Sequence, residues 1–292
     1  MKTTFAIVGA GRLGSALGRA LARHALRPGG ISCRTLPSAR RAVRFIGGGQ
    51  ATASNPRAVR GCGLVLICTP DRVIPDVARE LAASGERLNG VVVAHTSGAL
   101  ASTVLEPLRS RGARVASLHP LASIADPRAG LVLPRGTPFA VEGDAQAVRQ
   151  MRSLVGTLGG TPVSIPREAK ALYHLIACLL SNDLVALLEA GLAAASGLGL
   201  GRREAARLYL PLVQGTVDNV VRLGPVRALT GPVSRGDLAT LRVHAAALRT
   251  LPADLRKLHR LLALRSVGLA LEARTITPES AARLTRLLTS QP

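Results

Sequence analysis

Three glycines near the start of the chain have the spacing of a dinucleotide-binding turn. Gly9, Gly11 and Gly14 form the pattern GxGxxG directly after an apolar run at residues 5–8. In such a turn the first glycine bends the chain, the second lets a pyrophosphate approach the backbone, and the third lets a helix pack on a strand. The helix that follows offers N–H groups and the positive end of its dipole to the phosphates.

The residues after the second predicted strand indicate which dinucleotide binds. Residues 1–70 contain no Asp or Glu, whereas an NAD site commonly places an acid on the ribose hydroxyls about 20 residues beyond the glycines. Arg34 occupies that place, and Arg40 and Arg41 follow it. Because a guanidinium forms forked, charge-assisted hydrogen bonds with phosphate, we predict NADP(H) as the cofactor, with Arg34 at the 2′-phosphate.

Two histidines follow predicted strands directly. His95 comes after residues 91–94 and shortly precedes Ser97, and His119 comes after residues 114–118. Ligands of doubly wound sheets lie at the carboxyl ends of the strands, so both imidazoles are predicted beside the nicotinamide. A single loop histidine is more often a surface or structural residue, but the repeated placement favours a shared site.

A later apolar helix has a polar stripe that begins at Lys170, one of three lysines. At about 100° per residue, His174 lies about 40° from Lys170 around the helix, Ser181 about 20° and Asn182 about 120°. Buried polar groups need partners, and a substrate site would supply them. The alternative for Lys170 is a side chain that reaches solvent from the helix end.

The stretch LTGPVSRGD at residues 229–237 has many turn-forming residues and precedes a helical pattern. Arg235 could hold a substrate carboxylate there, whereas Asp237 or Ser234 could simply cap the helix. The sequence leaves both possibilities open. The predicted substrate contacts are His95, Ser97, Asn182 and Arg235.

The elements that would position these groups alternate in the first half of the chain. Strand patterns lie at residues 5–8, 31–34, 64–68, 91–94, 114–118, 139–141 and 162–165, with helical patterns between several of them. This alternation predicts an α/β domain over residues 1–165, built on a doubly wound parallel sheet of the Rossmann type. Residues 166–292 show only helical periodicity, which predicts an all-helical second domain.

The composition is that of a globular protein. Of 292 residues, 47% are hydrophobic, and 38 Lys and Arg against 17 Asp and Glu give a net charge of +21. The basic residues are scattered and aromatics make up 2%, so nucleic-acid binding is not favoured. Asp183 and Glu189 interrupt the apolar stretch at residues 171–200, which favours a buried helix over a membrane span. The four cysteines lack metal-site spacing and predict free thiols in a cytoplasmic protein without a metal.

Longer segments match in order over nearly the whole chain: GAGRLGSALGRAL at 9–21, TPD at 69–71, HTSGAL at 95–100, SLHPLAS at 117–123, KALYH at 170–174, SN at 181–182 and LTGPVSRGD at 229–237. On these segments the chain resembles the Rossmann-like proteins with a C-terminal domain of unknown function 2520. They belong to the superfamily of β-hydroxyacid dehydrogenases, ketopantoate reductases and pyrroline-5-carboxylate reductases. His259 departs from the pattern, which has Tyr there.

The resemblance implies an NADP-binding reductase that forms a homodimer through its helical domain. Lys170 matches the lysine that serves reduction in the wider superfamily, and His174 stands where that pattern has Asn. The predicted cofactor contacts are Gly9, Gly11, Arg12, Leu13, Gly14, Arg34, Thr69 and Pro70.

Together these observations predict an NADP(H)-dependent oxidoreductase that reduces a C=O or C=N group of a small carboxylated substrate, such as a ketopantoate-like 2-oxo acid. Lys170 is predicted to protonate or stabilise the developing alkoxide, and His174 and His119 to position the substrate or relay the proton. The alternative is a non-enzymatic NADP-binding sensor or interaction module, although a sensor has no need for an amine on an apolar helix.

Overall fold

One eight-stranded sheet organises the first half of the chain. A computed structural model describes residues 3–24, 26–124 and 135–290. The strands in this part of the chain are β1 (Thr4–Val8), β2 (Arg27–Ser32), β3 (Gln50–Thr52), β4 (Leu64–Ile67), β5 (Val92–His95), β6 (Arg114–Pro120), β7 (Pro138–Gly143) and β8 (Thr161–Ser164). Their order across the sheet is β3-β2-β1-β4-β5-β6-β7-β8. This order confirms the predicted doubly wound α/β architecture.

The sheet departs from the prediction in one respect, because it is not parallel throughout. Neighbouring strands from β3 to β6 are parallel, but β7 runs antiparallel to β6, and β8 is parallel to β7. Pro120 at the end of β6 pairs with Phe139 at the start of β7. The chain therefore enters β7 at the edge where β6 ends, which is an arrangement that needs no crossover helix.

Helices cover both faces of this sheet. They are α1 (Arg12–Arg23), α2 (Leu36–Ile46), α3 (Asn55–Val59), α4 (Ile74–Ala83), α5 (Glu106–Arg109) and α6 (Ala145–Thr157). Successive residues of β1 alternate between two apolar cores, with Phe5 and Ile7 in one and Ala6 and Val8 in the other. A strand buried on both faces reads as a continuous apolar run, which is why β1 and β4 are visible in the sequence.

The rest of the described chain is helical. Its helices are α7 (Lys170–Ala194), α8 (Arg202–Leu223), α9 (Pro225–Ala228), α10 (Leu238–Leu248), α11 (Ala253–Glu272) and α12 (Pro278–Thr289). The chain divides into two compact units, residues 1–183 and 184–292, and the division falls inside α7. The predicted domain boundary at residue 165 lies earlier, directly after β8. The second unit has its own core, which includes Val267, Ala270 and Leu284.

The long helix α7 is apolar but exposed in the single chain. Of its 25 residues only Lys170 is buried, and Leu180 and Val185 are 73% and 66% exposed. Among the described residues, one helical stretch, Arg167–Leu198, is long and apolar enough to cross a membrane by length and composition alone. The sequence analysis expects a buried helix, because apolar residues surround its axis. Within the described part of the chain, many of these apolar residues are exposed.

Candidate active site

A cleft of about 860 Å³ lies at the carboxyl ends of β1, β2 and β4. Its lining includes Gly9 and Gly11 after β1, Arg34 after β2, and Thr69 and Pro70 after β4. The structure therefore brings together cofactor residues predicted from three separate loops. This is the place where doubly wound sheets bind ligands.

The three glycines of the first turn are needed for different reasons. Gly9 has a φ of +87°, and a Cβ there would lie 2.6 Å from the Thr69 side chain. A Cβ on Gly14 would lie 2.6 Å from the carbonyl oxygen of Gly9. At Gly11, by contrast, no described atom lies within 4 Å of the Cβ position. The open space beside Gly11 is the cradle that a pyrophosphate requires.

Unpaired hydrogen-bonding groups also fit a dinucleotide. Helix α1 begins at Arg12, so the N–H groups of Arg12, Leu13 and Gly14 belong to its first turn, which an α-helix does not pair internally. Three predicted cofactor residues, Arg12, Leu13 and Gly14, do not line the cleft, so their contact with a cofactor stays a prediction. Among the described residues, the Thr69 hydroxyl is buried without a hydrogen-bond partner. Such donors at a helix N-terminus suit phosphate.

Two arginines face the cleft beyond β2. Arg34 and Arg41 both line it, with Thr35 and Ser38 between them in sequence. The Arg41 guanidinium donates to Ser38 Oγ at 2.8 Å, and Ser38 N donates to Thr35 Oγ1, which caps α2. No Asp or Glu occurs among the residues that line this cleft. Two guanidiniums without a nearby carboxylate suit a phosphate group.

A second cleft of about 620 Å³ lies in the same unit, between the end of β6 and the first turns of α7. Its polar lining residues are His119, Ser123, Tyr173, His174, Ser181 and Asn182. Apolar side chains, among them Leu121, Ile176 and Leu180, form much of the rest. We call it the reaction cleft. Three predicted site residues, His119, His174 and Asn182, thus line one space.

The side chains of His119 and Tyr173 form a pair in this cleft. Their Nδ1 and Oη atoms are 2.9 Å apart and their rings are nearly perpendicular. The His174 ring meets the His119 ring edge to face, with 5.9 Å between centroids. Burial, reinforced by the nearby charge of Lys170, lowers the pKa of His119 to about 4. Burial raises the pKa of Tyr173. Both side chains are therefore uncharged near neutral pH.

Gly98, in the loop after β5, makes room for the two histidines. A Cβ on Gly98 would lie 2.3 Å from His174 Cδ2 and 3.0 Å from His119 Nε2. Contacts under about 3 Å force a neighbour to move, and imidazole rings anchored by packing move poorly. The loop after β5 can therefore approach α7 only because residue 98 has no side chain.

Lys170 is fully enclosed, with 1% of its surface exposed. Its amine donates to the Ser97 carbonyl oxygen at 3.0 Å and to Ser117 Oγ at 2.8 Å. Burial lowers the pKa of this amine to about 8, although the charges of Glu142 and Asp71 oppose that shift. An amine with this pKa exchanges its proton close to physiological pH.

The position of Lys170 differs from the predicted pocket shared with His174. Lys170 is not among the residues that line the reaction cleft, whereas Tyr173 is. The Lys170 amine lies 5.7 Å from the centre of the Tyr173 ring. Lys170 begins α7, and its amine is hydrogen-bonded to Ser97 after β5 and to Ser117 on β6. The amine therefore points into the protein and not into the reaction cleft.

His95 and Ser97 also differ from their predicted role as substrate contacts. They are 0% and 3% exposed and line neither cleft. Ser97 N donates to His95 Nδ1 at 3.2 Å, and burial lowers the pKa of His95 to about 4. The Ser97 hydroxyl and carbonyl are bonded to Asp71 and Lys170, and among the described residues His95 Nε2 is buried without a hydrogen-bond partner. The sequence placed both residues at a strand end but could not show which way they point.

Arg235 belongs to the second unit and is exposed in the turn before α10. The capping alternative is correct for Asp237, because its carboxylate accepts hydrogen bonds from Thr240 N at 3.0 Å and from Thr240 Oγ1 at 2.6 Å. The guanidinium of Arg235 has no part in that cap. A role in substrate binding stays a prediction.

The sequence analysis did not select three polar residues of the site: Tyr173, Ser117 and Asp71. Tyr173 is one of two tyrosines in the chain, and at three residues after Lys170 it lies nearly above it on the helix. Ser117 precedes His119 by two residues on β6, a spacing that places both on one face of the strand. These spacings were available in the sequence. The contact of Asp71 with the loop after β5 was not, because it depends on the tertiary structure.

Family comparisons find two domains in the chain, and their boundary lies before β7, earlier than the division into compact units. The Rossmann-like domain family matches residues 1–120, and the domain of unknown function DUF2520 matches residues 137–266. None of the curated proteins matches the sequence.

Solved structures with the same fold cover nearly the whole chain. A protein from Thermotoga maritima is 28% identical, with a TM-score of 0.71 over 92% of this chain and 97% of that one. A Bacteroides fragilis protein, provisionally assigned as an NADP oxidoreductase, is 23% identical, with a TM-score of 0.75 over 91% and 98%. An imine reductase from Myxococcus stipitatus, solved with NADP+, is 20% identical, with a TM-score of 0.62 over 98% and 99%.

These likenesses establish the fold along the length of the chain, and the DUF2520 match takes in β7, α6 and β8 as well as helices of the second unit. The chain therefore joins an N-terminal Rossmann-like domain to a C-terminal DUF2520 domain.

Proposed function

We propose that this protein is an NADP(H)-dependent reductase. The observation that supports it most is the presence of two clefts in one unit. One is lined by glycines and by Arg34 and Arg41, and the other by His119, Tyr173 and His174. The first has the chemistry to hold a phosphorylated dinucleotide. The second places the uncharged side chains of His119 and Tyr173 in apolar surroundings, where a hydrogen-bond donor can stabilise the charge that develops in carbonyl or imine reduction.

The cofactor is held by the residues of the first cleft. The open backbone at Gly11 and the first N–H groups of α1 receive the pyrophosphate. Arg34 and Arg41 contact the 2′-phosphate. When bound, the reduced nicotinamide supplies the hydride. The Thr69 hydroxyl, buried without a partner among the described residues, finds its acceptor on the cofactor.

The residues of the reaction cleft polarise the substrate. The Tyr173 hydroxyl donates a hydrogen bond to His119 Nδ1. The proton of this neutral imidazole is therefore on the other ring nitrogen, Nε2. The N–H at His119 Nε2 then donates to the substrate oxygen or nitrogen. A neutral imidazole is an effective hydrogen-bond donor to a developing anion. His174, in ring contact with His119, completes the donor set.

Lys170 supplies positive charge to the same place. Its buried ammonium uses two of its three N–H groups on Ser97 and Ser117. In a low-dielectric interior a fixed cation stabilises negative charge that develops nearby. Lys170 thus favours the alkoxide-like transition state through its charge.

The substrate is a small molecule with a C=O or C=N group and a carboxylate. The reaction cleft is mostly apolar, with Ser181 and Asn182 at its far turn. The net charge of +21 supports a negatively charged substrate. The imine reductase among the solved structures supports testing C=N substrates beside 2-oxo acids. His95 and Ser97 shape the wall of the site.

The working protein is a cytoplasmic homodimer, joined through its helical part. The exposed apolar residues of α7 and α8, such as Leu180 and Val221 at 73% and 82% exposure, need a cover. A protein cover for α7 is favoured over a membrane, because the first turn of α7 is hydrogen-bonded to β6 through Lys170 and Tyr173. A second copy presents the same apolar faces.

A screen of 2-oxo acids and cyclic imines with NADPH, followed by loss of absorbance, tests the proposal. We expect turnover of at least one member of the screen. Lys170→Met should lower kcat by about 10²-fold or more with NADPH affinity retained. Tight NADPH binding with no turnover of any substrate would instead favour the sensor alternative.

A further inference from the structure

The loop after β4, which forms one wall of the cofactor cleft, is bonded to the loop after β5. Pro70 and Arg72 line that cleft, and Asp71 lies between them. The Ser97 hydroxyl donates to Asp71 Oδ2 at 2.7 Å. The same hydroxyl oxygen accepts from Ala99 N and Leu100 N at 3.2 and 2.9 Å. Asp71 therefore orients the hydroxyl that folds this loop.

Ser97 continues the connection from Asp71 to Lys170. Its carbonyl oxygen accepts from the Lys170 amine, which also donates to Ser117 Oγ. Gly98, the next residue, lies so close to His119 and His174 that a Cβ there would clash with the His174 ring and crowd the His119 ring. Ser97 thus bonds the Asp71 carboxylate, beside the cofactor cleft, through its hydroxyl. It bonds the Lys170 ammonium, near the reaction cleft, through its carbonyl oxygen.

Few charged groups surround this connection. Lys170 faces the carboxylates of Glu142 and Asp71, and the Tyr173 ring. Glu142 is engaged by the Ser102 N–H and hydroxyl at 2.6 and 2.8 Å, and the Arg167 guanidinium lies 3.8 Å from its carboxylate. The groups around His119 are Lys170, His174, Asp71 and His95. Asp71 is the acid that acts on His95, His119 and Lys170 alike.

We propose that Asp71 is a positioning residue that couples the two clefts: through Ser97 it fixes the loop after β5 and balances the buried charge of Lys170. This inference rests on the proposed reductase function for its kinetic consequence only. Asp71 touches neither substrate nor the reacting atoms. It acts by keeping Lys170 protonated and Gly98 in place.

The lysine content of the chain allows a direct test without turnover. Only Lys2, Lys170 and Lys257 are lysines, so a protein labelled with 13C at lysine Cε gives three signals, and Lys170→Met assigns one of them. We expect Asp71→Asn, which keeps the shape and removes the charge, to lower the titration midpoint of Lys170 by about half a pH unit. The Asp71 carboxylate is separated from the Lys170 amine by Ser97, and a charge at that separation that is partly screened by solvent has an effect of this size on a pKa.

Asp71→Glu restores the charge and should return the midpoint toward the parent value. The matched control is Asp76→Asn on α4, an exposed acid five residues further on that pairs with Arg79. It should leave the Lys170 signal unchanged. An equal midpoint in Asp71→Asn and the parent, an equal shift in Asp76→Asn, or no recovery in Asp71→Glu overturns the proposal.

The effect of Asp71 on turnover can be measured once a substrate is known. Asp71→Asn should lower kcat by about tenfold, move the basic limb of the pH profile down by the shift seen for Lys170, and keep the NADPH Kd within about threefold. An unmoved limb beside a shifted Lys170 signal would overturn the kinetic role. Absence of any turnover in the parent would count against the reductase function, while the lysine titration would still decide the coupling.

Discussion

The hydroxyl of Tyr173 lies 2.9 Å from Nδ1 of His119, so a side chain from α7 fixes the orientation of an imidazole at the end of β6. Three residues before Tyr173 on α7, Lys170 is bonded to Ser117 of the same strand. Two bonds thus tie the first turn of the helix to the strand end. The geometry of the reaction cleft depends on both.

Tyr173→Phe should reduce turnover while NADPH binding is retained. The substitution removes the hydrogen bond that sets the tautomer of His119, and loss of one such bond costs about 1 kcal/mol, or about fivefold to tenfold in rate. Steady-state kinetics measures the change in kcat. Tyr209→Phe, the only other tyrosine change available, is the control and should leave kcat within about twofold.

Gly98→Ala should abolish most activity without loss of cofactor. A methyl group at residue 98 would lie 2.3 Å from the His174 ring, so His174 or the loop must shift, and a displacement of about 1 Å in an active site costs about 10²-fold. Gly156→Ala, where nothing lies within 4 Å, serves as control. If Gly98→Ala keeps the parent rate, the two histidines do not work at the positions they occupy.

The cofactor preference should depend on Arg34 and Arg41. We expect NADPH to bind at least about tenfold tighter than NADH, which corresponds to about 1.4 kcal/mol. Arg34→Ala and Arg41→Ala should each remove much of that preference by weakening NADPH alone. Arg40→Ala, at a residue that does not line the cleft, should retain it. Calorimetric titration with both cofactors measures all four proteins, and equal NADPH and NADH affinities in the parent would rule the assignment out.

Lys170 should make the free energy of unfolding depend on pH above neutrality. Its pKa is about 8 in the folded protein against an ordinary value of 10.5, so the unfolded chain binds more protons between these two values. Stability therefore rises with pH across that window, and the cost of the buried charge is fully present below pH 8. Buried thiols such as Cys68, whose pKa burial raises to about 12, act in the opposite direction above about pH 9. Denaturant titrations from pH 7 to 10.5 should therefore show the contribution of Lys170 as a difference between the parent and Lys170→Met that grows with pH. Parallel curves for the two proteins would contradict the lowered pKa.

The oligomeric state should respond to charge on the exposed face of α8. Light scattering should give twice the chain mass of 30.2 kDa, because a second copy covers the apolar surface. Val221→Asp, at a residue 82% exposed, should yield monomers or insoluble protein. Leu36→Asp, at an exposed residue of α2, should remain dimeric. A parent protein that is monomeric at micromolar concentration would refute the dimer.

Much of the fold was predictable because its elements have clear periodicity. Strands buried on both faces, such as β1 and β4, appear as apolar runs, and the described chain after residue 166 is helical as predicted. The three-residue β3 is too short to leave such a pattern. The reversal at β7 also escaped, since the direction of a strand depends on where its connection runs.

The sequence predicted where the site residues lie in the fold but not which way their side chains point. Sequence placed His95, Ser97 and His119 at strand ends, and all three lie there. Only His119 lines a cleft, because exposure at a strand end depends on how the following loop folds. Lys170 was selected correctly as an unusual lysine on an apolar helix, yet its amine points toward the sheet. The sequence spacing fixed its neighbours along α7 and left its tertiary partners undetermined.

The residues around the first cleft also affect how fast a ligand arrives. Residues 1–70 have eleven Lys and Arg and no acid, and the cleft lining itself contains Arg34, Arg41 and Arg72. A polyanionic dinucleotide is drawn toward such a surface, so its association rate falls as salt is added. At physiological ionic strength charges are screened beyond about 8 Å. The attraction then acts only over the last nanometre of approach, where it orients the phosphates more than it gathers molecules from solution.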